Sequence, residues 1–215
     1  MTLADLHLHG THDLRLVVLS VLIAMIASYV ALDLAGRLSA EQGSGRAAWM
    51  MGGGFALGTG IWSMHFVAMA AFQLPIPVAY NLPIVATSLL AAVAASWVAL
   101  LVVSRTEMRA SELLTGSALM GTGIATMHYS GMAAMRMQAD LLYDPLLVGL
   151  SIAIAIGVSC VALTLAFRLR GESALAWSWK KVGSAVLMGA AIPSMHYTGM
   201  AAAIFIPSQT PSPWT

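Results

Sequence analysis

The chain has 215 residues, 59% of them hydrophobic and only 9% charged, with a mean hydropathy of +0.83. Soluble domains carry about 25% charged residues, so this composition excludes an ordinary water-soluble protein and indicates an integral membrane protein. A formal net charge of +1 gives no electrostatic basis for nucleic-acid binding, and the single cysteine, Cys160, excludes an intramolecular disulfide and a multi-cysteine metal site.

In chain order, residues 1–13 form a polar segment with His7, His9 and His12 and no basic region ahead of the first apolar run. That run therefore reads as a retained span, not a cleaved signal. Six apolar stretches follow, at 14–34, 47–72, 82–104, 112–135, 145–167 and 182–205. Each is long enough to cross a hydrocarbon core of about 30 Å as a helix. Their apolarity is continuous, not alternating, which argues against a barrel. Backbone groups in lipid then require helices. Cys160 lies in the fifth stretch and reads as a small buried apolar residue. A proline-rich polar tail, 206–215, closes the chain. The expected fold is an all-α membrane protein with one six-helix domain over 14–205, between an outer N-terminal segment 1–13 and an outer tail 206–215.

The loops set the orientation. Arg37, Arg46, Arg105, Arg109, Arg168, Arg170, Lys180 and Lys181 fall in the loops after the odd-numbered spans, whereas only Arg15 and Arg136 fall on the other side. The basic side is cytoplasmic, so both termini are expected outside.

One phrase recurs near the outer end of each even-numbered span: Ser63-Met64-His65-Phe66, Thr126-Met127-His128-Tyr129 and Ser194-Met195-His196-Tyr197. The aligned copies cover 58–71, 121–134 and 189–202, which implies a helix pair repeated three times in tandem. On a helix, the methionine four residues after each histidine (Met69, Met132, Met200) lies about 40° from it, and the preceding methionine (Met64, Met127, Met195) about 100°. The residue seven before the histidine lies about 20° away and the one three after it about 60°. Small residues at these two positions read as a stripe that lets the histidine helices pack closely together. Imidazole and thioether suit a soft metal ion, and histidines at membrane depth are costly and usually functional. The expected metal ligands are His65, His128 and His196 with Met69, Met132 and Met200, and then Met64, Met127 and Met195. Core packing is the competing role for the methionines. Tyr129 and Tyr197 read either as hydrogen-bonding partners behind the ligands or as interfacial anchors. His12 and Asp13, which abut the first span, are candidates for an additional metal contact or a lid. Pro193 is expected to kink the sixth span.

The phrase Met195-His196-Tyr197-Thr198, with its copies at 127–130 and 64–67, resembles the signature of the MHYT family of bacterial six-helix membrane sensors, over roughly residues 14–205. That resemblance implies copper held by the histidines and methionines, and sensing of a diatomic gas such as oxygen, carbon monoxide or nitric oxide. It also implies a cytoplasmic signalling partner, or an output domain acting on cyclic di-GMP, outside this chain. Phe66 and Val67 depart from the signature in the first copy, and Ser130 in the second. A copper or zinc enzyme at the outer face is an alternative, although no carboxylate lies inside the phrase to act as a base. Copper transport or acquisition is another, and haem ligation by histidine and methionine a further one. No catalytic residue is assigned.

Overall fold

The computed structural model describes residues 7–171 and 178–208. Residues 1–6 of the N-terminal segment and 209–215 of the tail lie outside the described residues. The elements in chain order are β1 (Thr11–His12), α1 (Leu14–Ala40), α2 (Gly43–Ala71), β2 (Phe72–Gln73), β3 (Ala79–Tyr80), α3 (Leu82–Val103), α4 (Ala110–Ala133), β4 (Met135–Arg136), β5 (Ala139–Tyr143), α5 (Pro145–Leu169), α6 (Trp179–Ala201) and β6 (Ala203–Pro207). Six helices occupy the six apolar stretches. Four of them, α1, α2, α3 and α5, are long and apolar enough to cross a membrane. α4 and α6 match them in length with 24 and 23 residues, but their glycines, serines and polar first turns dilute the apolarity. α6 runs through Pro193 without a break.

Helix starts are written into the sequence. Asp13, Asn81 and Asp144 stand immediately before α1, α3 and α5, and each side chain accepts a hydrogen bond from a first-turn amide: Arg15 N at 2.9 Å, Ile84 N at 3.2 Å and Leu146 N at 2.8 Å. These satisfy amides that the helix itself leaves orphaned. The backbone amides of the same three residues donate to Ala71 O, Ala134 O and Ala202 O, at 2.8, 2.8 and 2.9 Å. Each odd-numbered helix thus begins where its even-numbered partner ends. Short antiparallel ladders extend these junctions: β1 with β2, β3 with β4, and β5 with β6. Residues 203–205, expected inside the sixth span, are therefore strand, because Ala203–Pro207 pairs with Ala139–Tyr143.

The helices close into a ring in which α1 packs on α2 and α6, and α3, α4 and α5 fill the remainder in order. The buried face mixes alanines, glycines and serines with leucines and methionines, while other large aliphatics such as Leu22, Ile26, Leu90 and Leu119 point outward. This inside-out pattern suits lipid, where apolar surface gains nothing by leaving its surroundings and helices associate through close packing. On the odd-numbered helices the buried row is Ser20, Ala24, Ser28, Leu32 on α1; Ser88, Ala92, Ser96, Leu100 on α3; and Ser151, Ala155, Ser159, Leu163 on α5.

The close approaches differ from the stripe expected on the histidine helices. A Cβ on Gly58 would meet Val93 Cα of α3 at 2.6 Å, one on Gly121 would meet Ile156 Cα of α5 at 2.7 Å, and one on Gly189 would meet Met25 Cα of α1 at 2.5 Å. These glycines seat each even-numbered helix on an odd-numbered neighbour. The even-numbered helices come together around their histidines and, one turn beyond, at Met69, Met132 and Met200.

At the opposite end, basic residues tie helix ends together. Arg37 pairs with Asp33 at 2.7 Å and lies over the Trp49 ring, and Lys181 Nζ of α6 lies 3.9 Å from Asp33 of α1. Arg46 donates to Ser104 O, and Arg170 to Val103 O, Arg105 O and Thr106 O.

Replacing Gly121 by valine should weaken the fold by about 1–3 kcal/mol through overpacking against the α5 backbone. Gly157→Ala, at a position where a Cβ meets nothing, should be neutral or stabilise by about 0.5–1 kcal/mol through helix propensity. Reversible unfolding in bilayer-like micelles compares the two.

Candidate metal centre

His65 on α2, His128 on α4 and His196 on α6 converge at the ladder end of the bundle, and each is 1–2% exposed. Their Nδ1 atoms form a triangle with sides of 3.1 Å (His65–His196), 3.3 Å (His65–His128) and 3.3 Å (His128–His196). The rings stand nearly perpendicular to one another, with centroids 5.0–5.1 Å apart. Among the described residues, these three form a group that could hold a metal ion.

The triangle is frustrated as a set of neutral rings. A neutral imidazole Nδ1 is either a donor or an acceptor, so two of any three must share a role and at least one side cannot be a hydrogen bond. A cation at the centre removes the conflict by taking all three lone pairs. A triangle with these sides has its centre about 1.9 Å from each corner, close to the usual metal–imidazole distance of about 2.0–2.1 Å. Metal ligation through Nδ1 leaves the proton on Nε2, and all three Nε2 atoms are buried without a hydrogen-bond partner. Space for two of them comes from small residues three positions after a histidine. A Cβ on Gly131 would collide with His65 Nε2, and one on Gly199 with His128 Nε2. Ala68 holds the corresponding position on α2 and is fully buried.

The aromatic residue after each histidine packs its ring edge-to-face on that histidine: Phe66 at 4.9 Å, Tyr129 at 4.8 Å and Tyr197 at 5.0 Å. The tyrosine hydroxyls turn away from the triangle. Tyr129 shares a hydrogen bond with Ser151 Oγ of α5 at 2.6 Å, and Tyr197 with Ser20 Oγ of α1 at 3.4 Å. Phe66 has no hydroxyl, and there the Trp62 indole donates to Ser88 Oγ of α3 at 3.1 Å instead. The serines at 20, 88 and 151 were not singled out from the sequence. Their recurrence at spacings of 68 and 63 residues, matching Asp13, Asn81 and Asp144, was the available signal.

Met69, Met132 and Met200 meet in one buried cluster with Met135 and Phe205, one turn beyond the histidines and beneath the ladders. Met135 was not expected there. Met64, Met127 and Met195 are equally buried but do not gather. Met127 packs with Ile61 and Ala92, and Met195 with Ile124, Ala125 and Ala155. His12 lies on the rim, against Phe72 at 5.2 Å and Tyr197 at 5.8 Å. The Asp13 carboxylate is engaged as the α1 cap. Burial and the adjacent Tyr129 push the Tyr143 phenol up to about 12.

Ser151→Ala should cost about 1 kcal/mol by leaving the Tyr129 hydroxyl without its partner, while leaving metal content per chain unchanged. Unfolding measurements and elemental analysis on the same sample check both.

The sequence model of the MHYT family, described as a bacterial signalling protein N-terminal repeat, matches the chain three times, over residues 1–48, 58–116 and 121–178. The bifunctional diguanylate cyclase/cyclic di-GMP phosphodiesterase MucR of Pseudomonas aeruginosa is 52% identical over 196 residues, covering 91% of this chain and 28% of that protein. The cyclic di-GMP phosphodiesterase NbdA of the same organism is 43% identical over 202 residues, covering 94% and 26%. The signaling protein YkoW of Bacillus subtilis is 39% identical over 208 residues, covering 96% and 26%. The chain thus spans about a quarter of the length of these curated relatives, and no solved structure matches it. With four helices long and apolar enough to cross a membrane, three buried histidines at one point and three matches to one family model, the chain belongs to the MHYT family of bacterial signalling proteins, as a multi-pass membrane sensor domain.

Proposed function

We propose that the domain binds one copper ion at the His65–His128–His196 triangle and senses a diatomic gas or redox signal through it. The observation that carries this reading is the Nδ1 triangle itself, with sides of 3.1–3.3 Å and no carboxylate in the group. Copper(I) accepts three neutral nitrogen or sulfur donors, whereas zinc favours a fourth ligand or water to complete a tetrahedron. The buried cluster of Met69, Met132 and Met200 supplies thioethers beside the triangle. Met64, Met127 and Met195 hold the ligand helices in place by packing. Tyr129 and Tyr197 brace the rings and tie them to α5 and α1. His12 and Asp13 belong to the rim, where they close the site without ligating.

In this reading the bound copper supplies an open coordination position and a one-electron couple. The protein supplies the rest. It fixes the three lone pairs on one point, excludes water by complete burial, and links each histidine helix to an odd-numbered neighbour through a glycine contact and a serine. A shift of one imidazole therefore moves a helix pair. The six helices are read as three tandem helix-pair repeats, all crossing the bacterial inner membrane, with both termini and the histidines at the outer side. The basic loop residues are then cytoplasmic. A cytoplasmic partner or an output domain acting on cyclic di-GMP, the activity named for MucR and NbdA, would receive the signal.

Protein purified from copper-supplemented cells should hold about one copper per chain, and His128→Ala should lower copper affinity by more than the roughly tenfold to hundredfold that losing a ligand's hydrogen-bond partner costs. X-ray absorption should show nitrogen neighbours at about 2.0 Å, with a sulfur contribution that Met132→Leu diminishes. His12→Ala should leave copper content unchanged. Protein that retains no copper near stoichiometry overturns the reading.

A further inference from the structure

The bundle contains a second feature that the metal site does not use. A cavity of about 70 Å³ lies along its axis on the side of the histidines away from the methionine cluster, and all six helices line it. Its end nearest the histidines is formed by Ile61, Ile124 and Ile192, each four residues before a histidine and so one helical turn below the triangle. Met195, adjacent to His196 in sequence, lines it as well.

Three properties decide what it can take. Bundle interiors are normally close-packed, yet here the wall at mid-height is alanine at equivalent places on the odd-numbered helices: Ala31, Ala99 and Ala162. A methyl group on each of three helices cannot reach the axis, so the space is a product of the side chains chosen. The lining is almost wholly apolar and contains no charged residue, which excludes ions and strongly polar solutes. The polar exceptions are Ser28, Ser96 and Ser159. Ser96 Oγ donates to Ala92 O, whereas the Ser28 and Ser159 hydroxyls are buried without a hydrogen-bond partner.

The triangle of ligands has two faces. One is covered by Met69, Met132 and Met200. The other looks through the isoleucine tier to the cavity. We propose that this cavity is a docking chamber for a small, neutral, apolar molecule of two or three heavy atoms, held one helical turn below the histidine triangle, behind the isoleucine tier. The chamber stands on its own lining, whereas its role as the ligand's last stop before the metal rests on the copper reading above. A molecule of this class dissolves in hydrocarbon and can enter from the bilayer between helices, so the closed ladder end is no obstacle to it.

Xenon, which occupies apolar cavities of this kind, is the probe for the chamber. Full-length protein in nanodiscs, titrated with xenon and followed by xenon magnetic resonance, should show saturable binding of about one atom per chain, with or without copper and also in His128→Ala. Ala99→Leu and Ala31→Leu, on different helices, should each abolish saturation while keeping the helical signal. Leu90→Phe on the lipid face should change nothing. The double variant Ser28→Ala, Ser159→Ala should bind xenon as well as the parent or better. For the copper-loaded protein, Ala99→Leu should slow association of carbon monoxide about tenfold by filling its dock. Absence of saturable xenon binding in the parent overturns the chamber, and so does xenon binding that appears only in the double serine variant, since the space then holds water. Saturable xenon binding with no copper retained leaves the chamber standing and removes the metal reading. Equal carbon monoxide rates in the parent and Ala99→Leu, with copper bound, remove the dock's role at the metal.

Discussion

Three imidazoles buried at one point, in a protein surrounded by hydrocarbon, impose a demand that the rest of the structure answers. A ring nitrogen removed from water without a partner is costly, and polar side chains at membrane depth persist where a function or a partner holds them. Here six ring nitrogens share a space in which Nδ1 meets only Nδ1, and the three Nε2 atoms meet no partner at all. Neutral imidazoles cannot satisfy that arrangement among themselves. A shared cation could satisfy the inner nitrogens.

Bringing the rings so close requires room, and the surrounding residue choices provide it. Gly131 and Gly199 vacate the volume occupied by the edges of His65 and His128. The aromatic residue after each histidine then limits the ring from a second side by an edge-to-face contact. Farther along the helices, Gly58, Gly121 and Gly189 bring the backbone of each histidine helix onto that of an odd-numbered neighbour. The histidine helices are thus positioned less by one another than by α1, α3 and α5, which act as the frame.

The polar link in that frame explains a departure from the recurring phrase. Serines 20, 88 and 151 receive Tyr197, Trp62 and Tyr129 respectively. Where Phe66 replaces tyrosine, the indole one turn earlier takes over the hydrogen bond, and its ring also packs on Phe66 at 4.7 Å. The hydroxyl's work in the second and third copies is therefore helix-to-helix attachment. That role can be filled by any donor reaching the same serine, which is why the first copy can lack it.

Much of this was present in the chain order of residues. Apolar length alone indicates six helices, because hydrocarbon leaves the backbone no partner but itself, and three closely similar phrases in a chain with six histidines mark the site. Asp13, Asn81 and Asp144 announce helix starts by local chemistry, and the Asp13 carboxylate accepts from Arg15 N. Facts of long range were not legible. A helical wheel places glycine, histidine and methionine on one stripe, but it cannot say that the glycine meets a different neighbour two turns away, because helices cross at an angle. It cannot tell that Met69, Met132 and Met200 gather while Met64, Met127 and Met195 disperse, since 40° and 100° from a histidine become different neighbours only once six helices close a ring. The sequence by itself determined the membrane setting, the helices and the identity of the three histidines, all of which follow from composition and local spacing. Only the tertiary structure decided that their Nδ1 atoms, not their Nε2 atoms, face one point, and that a lined cavity lies behind them, because both depend on how distant segments pack.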